Sequence, residues 1–77
     1  MKIEVRIFST LRKFVSGSEK PIKVNIDEEA TINDLLNFIN IPPQKVKFTF
    51  VNFRQEPFPY RLKEGDRVGI FPPSGGG

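Results

Sequence analysis

Cysteine, histidine and tryptophan are all absent from the 77-residue sequence. Without cysteine there is no disulfide, no thiolate metal site and no cysteine nucleophile. Without histidine the commonest general base and the commonest neutral metal ligand are gone. A self-contained catalyst would have to work with Asp, Glu, Lys, Arg, Ser and a single Tyr, so the chain is read as something other than an enzyme. Long apolar runs are missing too. None approaches the roughly 18 residues that span a bilayer, and no membrane partner is expected. The opening MKIEVRIF alternates polar and apolar residues where a signal peptide would carry a continuous apolar stretch. A cytoplasmic protein is expected. Charge is in only mild excess, 12 Lys plus Arg against 9 Asp plus Glu, a net +3. That balance suits acidic partners without establishing nucleic-acid binding.

What is present is organised by period. In residues 2–8, Ile3, Val5 and Ile7 fall on one side and Lys2, Glu4 and Arg6 on the other, which predicts a strand with one buried face. Ile22, Val24 and Ile26 repeat that pattern after a polar stretch at 9–21. Ile32, Leu35, Leu36 and Ile39 stand at i, i+3, i+4 and i+7, one stripe of a helix spanning about residues 31–40. Thr31 and Asp34 fit a capping box, and Pro42-Pro43 bars continuation. Val46, Phe48 and Phe50 alternate with Lys47 and Thr49 as a third strand running to Val51. Residues 52–63 are irregular, with room for one short edge strand. Glu64-Gly65-Asp66 marks a turn, and residues 67–71 form the last strand with Val68 and Ile70 inward. A chain of this length buries only about 60% of its unfolded surface. An α+β domain with one helix across a mixed sheet of four to five strands covers both apolar surfaces.

Three stretches carry a family resemblance. Val5-Arg6-Ile7-Phe8-Ser9-Thr10-Leu11-Arg12 is similar to V-x-x-F-x-x-L-R, Leu62-Lys63-Glu64-Gly65-Asp66-Arg67-Val68 to L-x-x-G-D-x-V, and Phe71-Pro72-Pro73-Ser74-Gly75-Gly76-Gly77 to a terminal F-P-P-x-x-G-G. In this order they resemble the MoaD/ThiS family of ubiquitin-like sulfur carriers, with the ends closest to the small subunit of molybdopterin synthase. The middle, Ile41-Pro42-Pro43-Gln44-Lys45-Val46 followed by Val51-Asn52, is nearer to the thiamine-pathway carriers. Phe53-Arg54-Gln55 stands where the family usually has an Asn-Gly turn. The resemblance implies a β-grasp, ubiquitin-like domain over residues 1–73, with the first and last strands parallel and central, and an extended tail at 74–77.

The resemblance also implies a chemistry. A separate enzyme of the ubiquitin-activating type (MoeB/ThiF type) would use ATP to adenylate the Gly77 carboxylate. Sulfur would then displace AMP and leave a thiocarboxylate. The acceptor would be held by the large subunit of molybdopterin synthase (MoaE type) or by a thiazole synthase. The chain itself would bind no cofactor and supply no catalytic residue. Ser74, Gly75 and Gly76 would let the tail thread a narrow channel, reaching roughly 13–14 Å at about 3.3–3.6 Å per residue. Pro72 and Pro73 would stiffen its root.

By parity Phe8 and Phe71 point away from the face carrying Ile3, Val5, Ile7, Val68 and Ile70. If the outer two strands of the sequence are parallel neighbours, these rings meet near the tail's root as an apolar partner patch. Loop 9–21, or Phe53 and Phe58, could instead cover them. Arg6, Arg12, Arg54, Arg61 and Arg67 read as solvated surface. Asp27-Glu28-Glu29 reads as charge favouring a helix N-terminus, not as a metal site, and Glu64 with Asp66 lacks a companion base. Phe38, Phe48 and Phe50 lie in elements whose periodicity can place them in the core, which argues against an aromatic nucleic-acid platform. A ubiquitin-like modifier joined to lysines shares the activation step and remains an alternative, as does carriage of sulfur for thiamine thiazole or tRNA thiolation. A bare interaction or small RNA-binding domain is more remote.

Overall fold

In the computed structural model, residues 1–73 are described. The strands are β1 (Lys2–Ile7), β2 (Ile22–Asn25), β3 (Phe48–Val51), β4 (Arg54–Gln55) and β5 (Arg67–Phe71), with one helix α1 (Ile32–Phe38) between β2 and β3. They form a mixed five-stranded sheet in the order β2-β1-β5-β3-β4. β1 runs parallel to β5, with Val5 beside Val68 and Ile7 beside Ile70. β2 is antiparallel to β1, and β3 is antiparallel to β5. This is the β-grasp arrangement that the resemblance implied.

The core lies between one sheet face and α1. Ile3, Val5, Ile7, Val68 and Ile70 from the central strands meet Ile32, Leu35 and Leu36 from the helix, all nearly free of solvent contact. Leu11 joins them from a 3₁₀ helix (Ser9–Phe14) inside the stretch that read as a polar loop.

Both ends of α1 are set by local chemistry. The Thr31 hydroxyl accepts from the Asp34 N–H at 3.1 Å, and the Asp34 carboxylate accepts from the Thr31 N–H at 2.9 Å, completing the capping box. The Ile32 and Asn33 N–H groups donate to the carbonyls of Tyr60 and Phe58 at 3.0 Å each. The donors of the first turn are thus satisfied by the segment that leads into β5. The helix ends earlier than Pro42-Pro43 demands. Asn40 adopts a left-handed φ of 65°, and Ile41 N–H reaches back to the Leu36 carbonyl at 2.9 Å while Asn40 N–H reaches Asn37 at 3.3 Å. That is a Schellman motif, and it buries Ile41 against the same core.

One alternation slips. Val46 is buried, but within β3 the buried residues are Thr49 and Val51, while Phe48 and Phe50 face the other way. The sequence reading ran one phase from Val46 through Phe50. The phase changes at Lys47, whose N–H donates to the Phe71 carbonyl and starts the pairing with β5. Thr49 tolerates burial because its hydroxyl donates to the Glu56 carbonyl at 2.7 Å. Phe38, off the Ile32–Leu35–Leu36 stripe, is also exposed. The expectation that Phe38, Phe48 and Phe50 could fill the core is therefore corrected: none of the three belongs to it.

The Gly65-Asp66 turn is a clamp. The Asp66 carboxylate, nearly buried, accepts from the Lys63 N–H at 2.8 Å and from Asn52 Nδ2 at 3.0 Å. Asn52 Oδ1 in turn accepts from the Arg67 N–H at 3.0 Å. The turn before β5 is thereby tied to the turn after β3. Asp66→Ala leaves those donors without their partner and is expected to cost about 1–3 kcal/mol. The check is a lower urea midpoint at unchanged slope. An unchanged midpoint would mean that water replaces the carboxylate without loss.

Candidate functional site

α1 covers one face of the sheet, and the other face is open. Residues that alternate out of the core project there: Arg6 and Phe8 from the β1 side, Phe48 and Phe50 from β3, and Arg67, Gly69 and Phe71 from β5. Because β1 and β5 are parallel, their C-terminal ends coincide. Phe8 and Phe71 meet there as parity predicted, stacked at 4.2 Å between ring centroids and 6° between planes. Phe50 sets its ring against Phe71 at 5.4 Å and 76°, edge to face. Of the expected covering residues, Phe58 packs against the main core instead, while Phe53 lines the same groove as Phe8 and Phe71, which stay half-buried.

Gly69 lets the rings pack close over β5. A Cβ there would stand 3.3 Å from the Phe71 ring and 3.6 Å from the Phe8 ring. With no side chain in the way, the rings lean over the β5 backbone and wall a groove of about 300 Å³. Phe53, Arg6 and Arg67 line the same groove. Arg6 is steadied by Glu4 at 3.4 Å.

Phe53 was not singled out as a site residue, and its backbone is unusual. β3 and β4 pair Val51 with Arg54, leaving Asn52 and Phe53 as a two-residue turn. Their φ values are 51° and 72°, the pattern of a type I′ hairpin, whose second position favours glycine. Within residues 52–63 the short edge strand for which the sequence left room is Arg54-Gln55, and Asn52-Phe53 makes the turn before it. Holding a bulky residue in the left-handed region costs about 1–2 kcal/mol. The Phe53 side chain is also 88% exposed. The signal in the sequence was an Asn followed by Phe where turn chemistry calls for Asn-Gly.

The expected tail would follow directly on the end of β5. Lys47 N–H closes the last pair with the Phe71 carbonyl, and Pro72 has no donor to continue. Pro72 is half-buried and Pro73 exposed, beside a second hollow lined by Thr10, Lys13, Gln44 and Lys45. Arg12, from the first family-like stretch, folds back so that its Nε donates to the Ile7 carbonyl at 3.0 Å. The expected tail, Ser74, Gly75, Gly76 and Gly77, lies outside the described residues. Elsewhere Arg61 pairs with Glu29 at 2.8 Å, both exposed. Among the described residues no three acidic side chains gather at metal-holding distance, and no helix is long and apolar enough to cross a membrane.

A sequence model of the Mut7-C ubiquitin family matches residues 1–75. The chain belongs to that family. The ubiquitin-like kinship expected from the MoaD/ThiS resemblance is therefore in place. For this family member no curated protein sequence gives a match, but solved structures do. A putative molybdopterin converting factor subunit 1 from Pyrococcus furiosus is 25% identical, with a TM-score of 0.76 over 95% of this chain and 98% of that one. SAMP1 from Haloferax volcanii is 23% identical, with a TM-score of 0.75 over the whole of both chains. A chain in the complex of subunits 1 and 2 of the molybdopterin-converting factor from Helicobacter pylori is 19% identical, with a TM-score of 0.65, again over the whole of both. The last two likenesses speak for the fold. Together with the family match they make this a ubiquitin-like protein with the β-grasp fold.

Proposed function

We propose that this chain is a sulfur carrier whose terminal carboxylate is the reacting group. The observation that carries the reading is the run Pro72-Pro73-Ser74-Gly75-Gly76-Gly77 directly after the central strand of a ubiquitin-like fold. A carboxylate is a poor electrophile. An adenylating enzyme would let the Gly77 oxygen attack the α-phosphorus of ATP, releasing pyrophosphate. A sulfur nucleophile would then attack the acyl carbon and expel AMP, leaving a thiocarboxylate. Transfer of that sulfur to an acceptor, with water restoring the carboxylate, would return the carrier.

The chain would thus be a protein co-substrate, with ATP consumed by its activating partner. Its likeness to a molybdopterin converting factor subunit 1 favours molybdopterin biosynthesis as the destination. The likeness to a subunit 1 held in complex with subunit 2 favours a synthase large subunit as second partner. Phe8, Phe71, Pro72 and Pro73 supply a grip beside the tail's root. A second reading, attachment of Gly77 to a lysine amine, draws on the likeness to SAMP1, a small archaeal modifier protein. It differs only in the final nucleophile.

The test is the intact mass of the chain after incubation with ATP, an adenylating enzyme of the ubiquitin-activating type and a sulfide source. The expected gain is one oxygen-to-sulfur exchange, lost when Gly77 is removed. An inert terminus beside a reacting control carrier would reject the proposal.

A further inference from the structure

Phe53 contributes little to the isolated domain. It is not part of the buried core, it is 88% exposed, and its φ of 72° is one that glycine would adopt without strain. A glycine there would remove both the strain and the exposed apolar surface. What Phe53 does provide is part of the lining of the groove that Gly69 and the stacked pair of Phe8 and Phe71 also line. We infer that Phe53 is the anchor of a docking groove for a partner-protein segment that inserts an apolar side chain and flanks it with carboxylates.

The occupant follows from the chemistry of the walls. Four phenylalanines enclose a space of about 300 Å³, which suits an inserted aliphatic or aromatic side chain. Arg67, and Arg6 beside its Glu4 partner, line the same groove and suit carboxylates flanking that side chain. A second copy of this chain is a poor occupant, because face-to-face contact would bring the two arginines against their own counterparts. A nucleic-acid strand is a poor one as well. Phe8 and Phe71 present their faces to each other and Phe50 packs against Phe71, so these rings stand as walls instead of lying as a platform for bases. The inference deepens the reading of Phe8 and Phe71 as partner surface and rests on it. Sulfur loading at Gly77 is read by mass and groove occupancy by amide shifts, so the two can fail separately.

The experiment is an amide-shift titration of the full, isotope-labelled chain. The probes are a short capped peptide with a central Leu-Phe flanked by glutamates, its counterpart with lysines in place of the glutamates, and a short oligouridylate. The glutamate peptide is expected to move the amides of Arg6, Phe53, Arg67 and Gly69, and the lysine peptide to leave them in place. Phe53→Gly should weaken that binding roughly tenfold or more while its melting temperature stays equal or rises. Arg67→Glu should reverse the preference between the two peptides. No response, equal response to both peptides, undiminished binding by Phe53→Gly, or larger shifts with the oligouridylate would overturn the inference.

Discussion

Leu36→Ala is expected to lower the melting temperature by about 12–24 °C, from a cost of about 3 kcal/mol at about 4–8 °C per kcal/mol. Leu36 has no solvent contact and sits where α1 meets the central strands. Its own carbonyl also receives the Ile41 N–H that ends the helix. Truncation therefore opens a void under the helix and loosens the packing of Ile41 across the Schellman motif. A chain of this size holds in total about 4–12 kcal/mol, at about 0.05–0.15 kcal/mol per residue, so the loss is a large share of the whole. Thermal unfolding followed by circular dichroism is the measurement. A fall of only a few degrees would mean that neighbouring side chains close the void, and that the core is more plastic than its burial implies.

Appending one tryptophan after Gly77 is expected to abolish sulfur loading and leave the melting temperature where it was. The carrier proposal assigns the chemistry to the terminal carboxyl carbon. The added residue moves that carbon outward and hangs a bulky ring on a segment whose glycines suit a narrow channel. Among the described residues, by contrast, the buried core is drawn from those that precede Pro72. Intact mass after the activation reaction reads the first effect, and thermal unfolding reads the second. Loading at an undiminished rate, with the added tryptophan still attached, would reject the terminal carboxylate as the reacting group.

The parts of the fold written in local patterns were legible. β1, β2 and β5 alternate cleanly because each buries one face, and the α1 stripe and its capping box stand in consecutive residues. The meeting of Phe8 and Phe71 followed from parity once β1 and β5 were taken as parallel neighbours. That pairing came from the family resemblance, since no local pattern fixes strand order. What failed was phase and turn chemistry. A single-residue shift at Lys47 turned Phe48 and Phe50 outward, and only the pairing of β3 with β5 decides that shift. The end of the helix near Asn40 was legible but credited to Pro42-Pro43, whereas the Schellman motif at Asn40 sets it. Phe53 escaped notice because a phenylalanine at the second position of a tight turn runs against turn preference. The groove itself needed Gly69, whose contribution is the space left by a missing Cβ.

The parallel seam between β1 and β5 joins the beginning of the chain to residues 67–70. Such a contact closes a loop of nearly the full polypeptide and is entropically late in folding. During synthesis the central seam cannot close until β5 has left the ribosome, and the glycines follow only a few residues behind. Chains cut short before β5 would lack both the sheet's middle and the terminal glycines. Under the carrier proposal, nascent fragments would then have no terminus to offer an activating enzyme, and the order of translation would act as a quality check on the carrier.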